Sequence, residues 1–334
     1  MTEHSAGGSG GSPPRGNAAR WGLTVPLFGH TLPEQREIVT ELADLGYTDL
    51  WSAELNGVDA FTPLVLASQW TDRLRFGTAI VPVYTRGPGC LAMTAATLAD
   101  LAPGRFMLGV GTSTPVVVQQ WNDIPFDKPY QRSRDMLRFL RAAFAGEKVT
   151  DRYETFNVNG FRLERPPAEP PTLALAALRP QMVRLAADES DAAITNWLSP
   201  ADVPKVRHAA GPDCELIARI FVCPTTDVAT ARAIARRALT GYLTVPAYFA
   251  FHDWLGRREV LQPMMDAWTA GDRRGAGALL PDEVVDDLVI HGDFDHCRER
   301  VDAYRKSGLD TPVIAILPTP GVDAIDAARG LGLR

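Results

Sequence analysis

The side chains best suited to chemistry in this sequence stand at the ends of apolar segments. Glu54 comes just after the segment 47–52, and Tyr84 and Arg86 close the segment that begins at residue 74. A carboxylate in such a position can contact a cofactor ring or act as a general acid, and Tyr84 and Arg86 can contact the cofactor or its acidic tail. The alternatives are a solvated loop carboxylate or helix N-terminal charge at Glu54 and a surface ion pair at Arg86.

Residues 242–254 form an aromatic-rich segment, which predicts a lid over a pocket or a helix packed on a core. His252 lies within it and is the best candidate for a proton donor, because histidine titrates near neutral pH. The alternative is a histidine on the rim of that helix whose hydrogen bonds are satisfied by its neighbours. Tyr248 in the same segment and Trp121 in an irregular segment are candidate pocket walls, although a lone tryptophan is as often a packing anchor.

Histidine and cysteine spacing predicts neither a metal site nor a disulfide framework. The six histidines include no HExxH pattern, and the four cysteines are far apart, without a CxxC pair. Free, scattered cysteines are typical of a reducing compartment, so the cytoplasm is the expected location.

Composition excludes several classes of protein. The chain has 334 residues, 46% of them hydrophobic, which is enough for a large core. Its net charge of −6, with scattered lysines and arginines, argues against a nucleic-acid partner. No apolar run reaches the length of a membrane span. Residues 1–20 are rich in Gly, Ser and Pro and have no apolar stretch, so we expect a disordered tail rather than a signal peptide.

The elements that must position these residues alternate between strands and helices. Eight apolar segments begin near residues 22, 47, 74, 105, 172, 192, 214 and 312, and most precede a helical pattern. This order predicts an α/β fold, a (β/α)₈ TIM barrel forming a single domain over residues 21–334. Two long gaps predict insertions after strands 4 (residues 112–171) and 7 (residues 224–311), with residues 151–171 irregular. A doubly wound sheet is the alternative, weakened by the absence of GxGxxG after the first strand.

Several motifs in sequence order resemble the bacterial luciferase-like family, over nearly the whole chain. They are Gly46-Tyr47-Thr48-Asp49-Leu50-Trp51, Phe76-Gly77-Thr78-Ala79, Thr97-Leu98-Ala99-Asp100-Leu101-Ala102-Pro103-Gly104-Arg105-Phe106 and Gly109-Val110-Gly111. Other segments look like the branch that uses coenzyme F420, an 8-hydroxy-5-deazaflavin. They are Ala176-Ala177-Leu178-Arg179-Pro180-Gln181-Met182, Ser190-Asp191, Tyr242-Leu243-Thr244-Val245-Pro246 and Trp254-Leu255-Gly256. The resemblance implies a TIM barrel, a flavin or deazaflavin cofactor and, commonly in this family, a homodimer.

The resemblance also implies roles for particular residues. Ala79 and Ile80 match the family's non-prolyl cis peptide, which supports the cofactor ring. Further residues match positions that hold the cofactor's side chain and phosphate, namely Ala177, Leu178, Arg179, Thr195 and Asn196. One departure concerns the acid: where related deazaflavin enzymes often carry Glu after strand 4, this chain has Thr114 and, further on, Gln119.

The function expected from the residues and the resemblance is transfer of a hydride between coenzyme F420 and a small organic substrate. A 5-deazaflavin has carbon in place of the reactive nitrogen, which favours two-electron chemistry over oxygen activation. The alternatives are an FMN-dependent monooxygenase and, because the loop carboxylate is missing, a cofactor-binding protein without turnover.

Overall fold

The fold is a barrel of parallel strands surrounded by helices. A computed structural model describes residues 19–334, so most of the predicted N-terminal tail lies outside the described residues. The strands are β1 (Gly22–Thr24), β2 (Asp49–Ser52), β3 (Arg75–Thr78), β4 (Val81–Pro82), β5 (Phe106–Gly111), β6 (Val149–Arg152), β7 (Asn157–Phe161), β8 (Thr172–Ala176), β9 (Ala192–Asn196), β10 (Glu215–Cys223), β11 (Val289–His291) and β12 (Thr311–Ile316).

Helices follow most of the strands, as the alternating pattern predicts. They are α1 (Arg36–Glu41), α2 (Thr62–Trp70), α3 (Pro88–Leu101), α4 (Pro129–Phe144), α5 (Pro180–Glu189), α6 (Val203–Ala210), α7 (Val228–Leu243), α8 (Pro246–Leu255), α9 (Arg258–Thr269), α10 (Arg273–Ala278), α11 (Asp282–Leu288), α12 (Phe294–Lys306) and α13 (Ala324–Gly330). Asp227 and Asp293 cap α7 and α12, because their carboxylates accept backbone N–H groups of the first turn.

Eight parallel strands close the barrel in the order β1, β2, β3, β5, β8, β9, β10 and β12, and β12 pairs again with β1. The TIM barrel predicted from the sequence is therefore confirmed. Large apolar side chains fill its interior, among them Trp51, Met107, Ile194, Ile217 and Val313, all nearly or fully buried.

The third barrel strand is interrupted between β3 and β4, where the peptide bond from Ala79 to Ile80 is cis. The cis bond expected from the resemblance is present. The lower half of the strand pairs with β5 through Phe76, and the upper half through Val81. Between them the Thr78 hydroxyl donates to the Gly109 carbonyl and accepts from the Gly109 N–H, at 2.8 and 2.9 Å. Gly109 is required here, since a Cβ would stand 1.9 Å from the Thr78 carbonyl oxygen.

Arg75 closes the N-terminal end of the barrel. Its guanidinium binds Asp49 on the neighbouring β2, and it forms a bidentate ion pair of 2.7 and 2.9 Å with Glu215 on β10, across the barrel. The Thr311 hydroxyl donates a further hydrogen bond to Glu215, at 2.6 Å. Burial alone would raise the pKa of Glu215, but the hydrogen bonds and charge of Arg75 outweigh it and lower this pKa to about 2.

Both predicted insertions are present, and each leaves from the C-terminal end of its strand. The first contains a π-helical turn (Val116–Gln120), α4 and an antiparallel hairpin of β6 and β7. The prediction of irregular structure over residues 151–171 is wrong for this hairpin, whose mostly exposed strands carry no apolar alternation. The second contains α7 to α12 and the short β11, which pairs with the upper half of β10.

Candidate active site

A cavity of about 520 Å³ lies at the C-terminal ends of the barrel strands. This is the end of the barrel at which TIM-barrel enzymes keep their active sites. The ends of most barrel strands and the junction of α7 with α8 line it. Seven of the site residues predicted from the sequence line this cavity. They are Glu54, Ala79, Ile80, Leu178, Thr195, Asn196 and Tyr248.

The cis peptide forms part of the cavity floor. Ala79 and Ile80 line the cavity where β3 ends, beside the last residue of β5, Gly111. A Cβ on Gly111 would stand 2.8 Å from the Ala176 Cβ and 3.0 Å from the Ile80 Cγ1. A glycine is therefore required at this position if the Ala176 and Ile80 side chains are to pack closely against β5.

Glu54 reaches the cavity as half of an ion pair. Arg86 donates to both of its carboxylate oxygens, with a shortest distance of 2.7 Å, and stacks on the Phe61 ring at 4.8 Å. Both side chains are about one-fifth exposed. Glu54 is the single carboxylate among the described residues that line the cavity. The two candidate site residues are therefore ion-pair partners, and of the two Glu54 lines the cavity.

The loop after β5 supplies hydroxyl groups in place of an acid. Thr112, Ser113 and Thr114 line the cavity beside the floor, and Ser113 has a positive φ of 58°. Where related deazaflavin enzymes often carry a glutamate, this chain therefore has a segment that lines the cavity with hydroxyl groups.

A second group of polar atoms comes from the end of β9. The Asn196 amide donates to the Tyr248 hydroxyl at 3.3 Å, whereas the Asn196 Oδ1 and the Thr195 Oγ1 are buried and have no hydrogen-bond partner among the described residues. Burial raises the pKa of Tyr248, so this hydroxyl stays protonated at neutral pH. Buried polar atoms without partners are uncommon in proteins, and here they border the cavity.

The segment after β8 runs from the cavity to the surface. Leu178 lines the cavity, Ala177 is buried behind it, and Arg179 is exposed at the N-terminal end of α5. The first N–H groups of an α-helix have no partners within the helix and favour anions. With the Arg179 charge beside them, they form a site suited to a phosphate group.

Six predicted site residues do not line the cavity: Arg86, Ala177 and Arg179, described above, and His252, Trp121 and Tyr84. His252 on α8 is fully buried, and burial together with the Arg257 charge lowers its pKa to about 4. Trp121 is 51% exposed on the first insertion. Tyr84 is buried and donates to the Asp127 carbonyl at 2.6 Å. His252 is thus set apart from the cavity wall, and its role as a proton donor stays a prediction.

Sequence reasoning missed Arg219, an arginine inside the barrel. It stands in the middle of β10, in the apolar run Glu215–Cys223, and lines the cavity. Burial lowers its pKa, and its Nε has no hydrogen-bond partner among the described residues. The available signal was an arginine in the interior of a strand whose one other charged residue is Glu215, at its first position.

Comparison with known proteins identifies the family. The family model for luciferase-like monooxygenases matches residues 4–311. The chain belongs to this family. The luciferase-like family predicted from the sequence motifs is therefore confirmed, and membership makes this protein an oxidoreductase.

Proteins similar to this chain have names that give different cofactors. A putative coenzyme F420-dependent oxidoreductase of Mycobacterium tuberculosis is 29% identical over 325 residues, covering 88% of this chain and 94% of the relative. The solved coenzyme F420-dependent tetrahydromethanopterin reductase of Methanopyrus kandleri superposes with a TM-score of 0.74 at 19% identity, covering 94% and 97% of the two chains. The oxygenating component of a Pseudomonas putida 3,6-diketocamphane monooxygenase, solved with FMN, superposes with a TM-score of 0.63 at 14% identity, covering 95% and 97%.

Two further findings on this luciferase-like chain apply to all of its described residues. No helix within residues 19–334 combines the length and apolarity needed to cross a membrane. The same residues contain no group of three or more His, Cys, Asp or Glu side chains placed to hold a metal ion.

Proposed function

We propose that this protein binds coenzyme F420 in the 520 Å³ cavity and transfers a hydride between the cofactor and a small organic substrate. The observation that carries the proposal is the position of Ala79 and Ile80 on this cavity at the C-terminal end of the barrel, because the family resemblance assigns these residues to ring support. The F420-dependent relative, which spans most of this chain, supports the choice of cofactor.

The residues present fit a deazaflavin. The cavity volume falls within the range of about 300 to 1,000 Å³ that is usual for small-molecule sites. The apolar bulge of Ala79 and Ile80 offers a surface for a flat ring. The unpartnered Thr195 and Asn196 oxygens are acceptors suited to the polar edge of such a ring or to its side chain.

The cofactor's phosphate has a separate place in this proposal. Arg179 and the N-terminal N–H groups of α5 would bind the phosphate, and Leu178 would pack beside the side chain that leads to it. The exposure of Arg179 suits a charged group that extends towards solvent. Binding there fixes the position of the ring without placing a charge at the cavity floor.

When bound, the deazaflavin supplies two-electron hydride chemistry, and the protein supplies orientation and exclusion of water. The Ala79–Ile80 bulge sets the plane of the ring. Arg86 holds Glu54 at the cavity wall, where its carboxylate orients the cofactor or the substrate. The hydroxyls of Thr112, Ser113, Thr114 and Tyr248 are left as the groups that hold or pass a proton at the substrate.

The remaining expectations belong to the same proposal. We expect a homodimer, as is common in the family, and a cytoplasmic location, which suits the four free cysteines. Light scattering coupled to gel filtration tests the oligomeric state. A monomer at micromolar protein concentration would contradict the expected homodimer.

Cofactor binding is the first experiment. Coenzyme F420 and FMN are titrated separately into the purified protein, and quenching of tryptophan fluorescence is measured. We expect saturable quenching by coenzyme F420 and weaker quenching by FMN, followed by oxidation or reduction of coenzyme F420 with a member of a substrate panel. Tight binding of FMN alone would favour the monooxygenase alternative and overturn the proposal. Binding of coenzyme F420 without turnover across a broad panel would favour a cofactor-binding protein.

A further inference from the structure

Arg219 occupies an inward-facing position of the barrel. In the register of β10 it lies between Asn196 on β9 and Val313 on β12, and Ile217, two residues earlier on the same face, belongs to the buried interior. Residues two apart in a strand face the same side. Arg219 therefore stands directly above the packed interior, where the barrel opens into the cavity.

A stack of aromatic rings holds the guanidinium. It lies 5.2 Å from the Phe221 ring centroid, and Phe221 is itself stacked on Trp197 with ring centroids 3.6 Å apart and planes within 3°. Arginine stacks on aromatic faces while its N–H donors remain available at the edge of the guanidinium plane. The stack fixes the side chain and leaves those donors for another group.

No acidic side chain among the described residues pairs with Arg219. Among residues 19–334, the titratable groups that interact with its charge are the Tyr242 and Tyr248 hydroxyls, and its Nε has no hydrogen-bond partner. An arginine stays protonated even where burial disfavours its charge. A partly buried cation without an anionic partner is costly, and it is retained most readily where a ligand supplies the anion.

Arg219 also borders a second, smaller space. A cavity of about 180 Å³ shares Arg219, Thr24 and Pro26 with the main cavity, and its other walls are apolar except for backbone, including Phe28, Ile316 and Leu317. A polar, charged cofactor tail does not suit such walls. A short hydrocarbon group attached to an anion does.

We propose that Arg219 binds the carboxylate of a small organic acid, whose hydrocarbon part occupies the adjoining apolar cavity. This inference deepens the proposed function by naming the substrate class and rests on it for the reaction. The arginine and carboxylate would form a charge-assisted, bidentate contact of the kind that Arg favours. Arg219 is thus a specificity-determining residue, and neutral analogues of the acid would leave its charge buried and unpaired.

The test compares acids with their neutral isosteres. Butanoate, hexanoate and benzoate, each paired with its primary amide, are added to the wild-type protein with and without saturating coenzyme F420, and thermal unfolding is recorded. We expect at least one acid to raise the melting temperature while its amide does not. Equal shifts for acid and amide, or no shift by any acid, would overturn the inference without requiring any variant.

Variants then assign the effect to Arg219. We expect Arg219→Met to weaken binding of the stabilising acid by about tenfold or more, as befits loss of a buried charge pair, and Arg219→Lys to weaken it less. Arg73→Met removes an exposed arginine, paired with Asp44, and is the matched control with unchanged binding. Arg219→Met that binds the acid like wild type would contradict the inference.

Cofactor titrations separate this inference from the proposed function. Loss of coenzyme F420 binding in Arg219→Met, with acid binding intact, would assign Arg219 to the cofactor and overturn the substrate assignment. The wild-type protein could also bind the acid, but not its amide, and fail to bind coenzyme F420. If Arg219→Met then lost the acid binding, the result would uphold the anion site and overturn the proposed function.

Discussion

Arg86 holds both carboxylate oxygens of Glu54, the shortest contact being 2.7 Å. The pair joins the loop after β2 to the loop after β4, and the Glu54 backbone N–H donates to the Ile80 carbonyl at 3.1 Å. The carboxylate nearest the cavity floor is therefore fixed from two directions. This arrangement favours an orienting role for Glu54, since both of its oxygens are already engaged.

The Glu54–Arg86 pair should act on the cofactor as one unit. We expect Glu54→Gln and Arg86→Met each to weaken coenzyme F420 binding, and the double variant to be little worse than either single variant. The coupling in binding free energy should be about 1 kcal/mol, as expected for residues in direct contact. Fluorescence titration of the four proteins measures it. The exposed Arg73–Asp44 pair serves as control, and additive effects at Glu54 and Arg86 would count against the shared role.

Adding a methyl group at Gly111, beside Ile80 and Ala176, should disturb the cofactor site. In Gly111→Ala the new Cβ would meet Ala176 at 2.8 Å and Ile80 at 3.0 Å, so the bulge must shift. We expect coenzyme F420 affinity to fall by about tenfold, the effect of about 1.4 kcal/mol of overpacking. Gly57→Ala is the matched control, because Gly57 lines the same cavity and its Cβ would meet nothing within 4 Å. Similar losses in both variants would refute a special role for the floor.

The buried His252 should make the protein sensitive to acid. Its folded-state pKa of about 4 lies below the ordinary 6.5, so the unfolded chain takes up a proton first and stability falls as the pH drops from 6.5 towards 4. Between pH 7.5 and 5 this costs about 2 kcal/mol. His252→Gln should flatten that dependence in urea unfolding, whereas the exposed His208→Gln should not.

Turnover provides an independent test of the same residue. Because His252 does not line the cavity, His252→Gln should keep kcat within about a factor of two at pH 7.5, which corresponds to less than 0.5 kcal/mol. Loss of turnover with cofactor binding intact would restore the proton-donor hypothesis.

Glu215 should contribute stability that disappears in acid. Its folded-state pKa of about 2 lies below the ordinary 4.5, so the contribution is complete above pH 4.5 and is lost as the pH falls through 4.5 towards 2. We expect Glu215→Gln to lower the free energy of unfolding by about 3 kcal/mol at pH 7 and by about half as much at pH 3. Glu164→Gln, at an exposed position, is the control. A pH-independent difference would mean that the ion pair with Arg75 is not its source.

The sequence was sufficient for the barrel because its strands are apolar and regularly separated. Segments predicted to begin near residues 47, 74 and 105 begin as strands at Asp49, Arg75 and Phe106. The hairpin Val149–Phe161 was missed because both of its strands are largely exposed, so neither shows the alternation of a half-buried strand. Whether two such polar segments pair as strands depends on the packing of the neighbouring parts of the chain.

The site was predicted less completely, for a reason that His252 and Arg219 share. The helix Pro246–Leu255 carries aromatic residues on several faces, so the sequence does not reveal that Tyr248 faces the cavity and His252 the interior. In β10 the inward face depends on register with β9 and β12, which sets Arg219 at the cavity. Both questions concern the direction of a side chain, and long-range packing answers them.

The network of Arg75, Asp49 and Glu215 ties opposite walls of the barrel together at the end remote from the cavity. These ion pairs stabilise the barrel without involving the segments that surround the ligand. For laboratory evolution, this means that the walls contributed by α7, α8 and the loop after β5 form a tolerant region, in which substrate range can be redesigned with little loss of foldability. Libraries directed at those segments should yield folded variants far more often than libraries directed at the remote end.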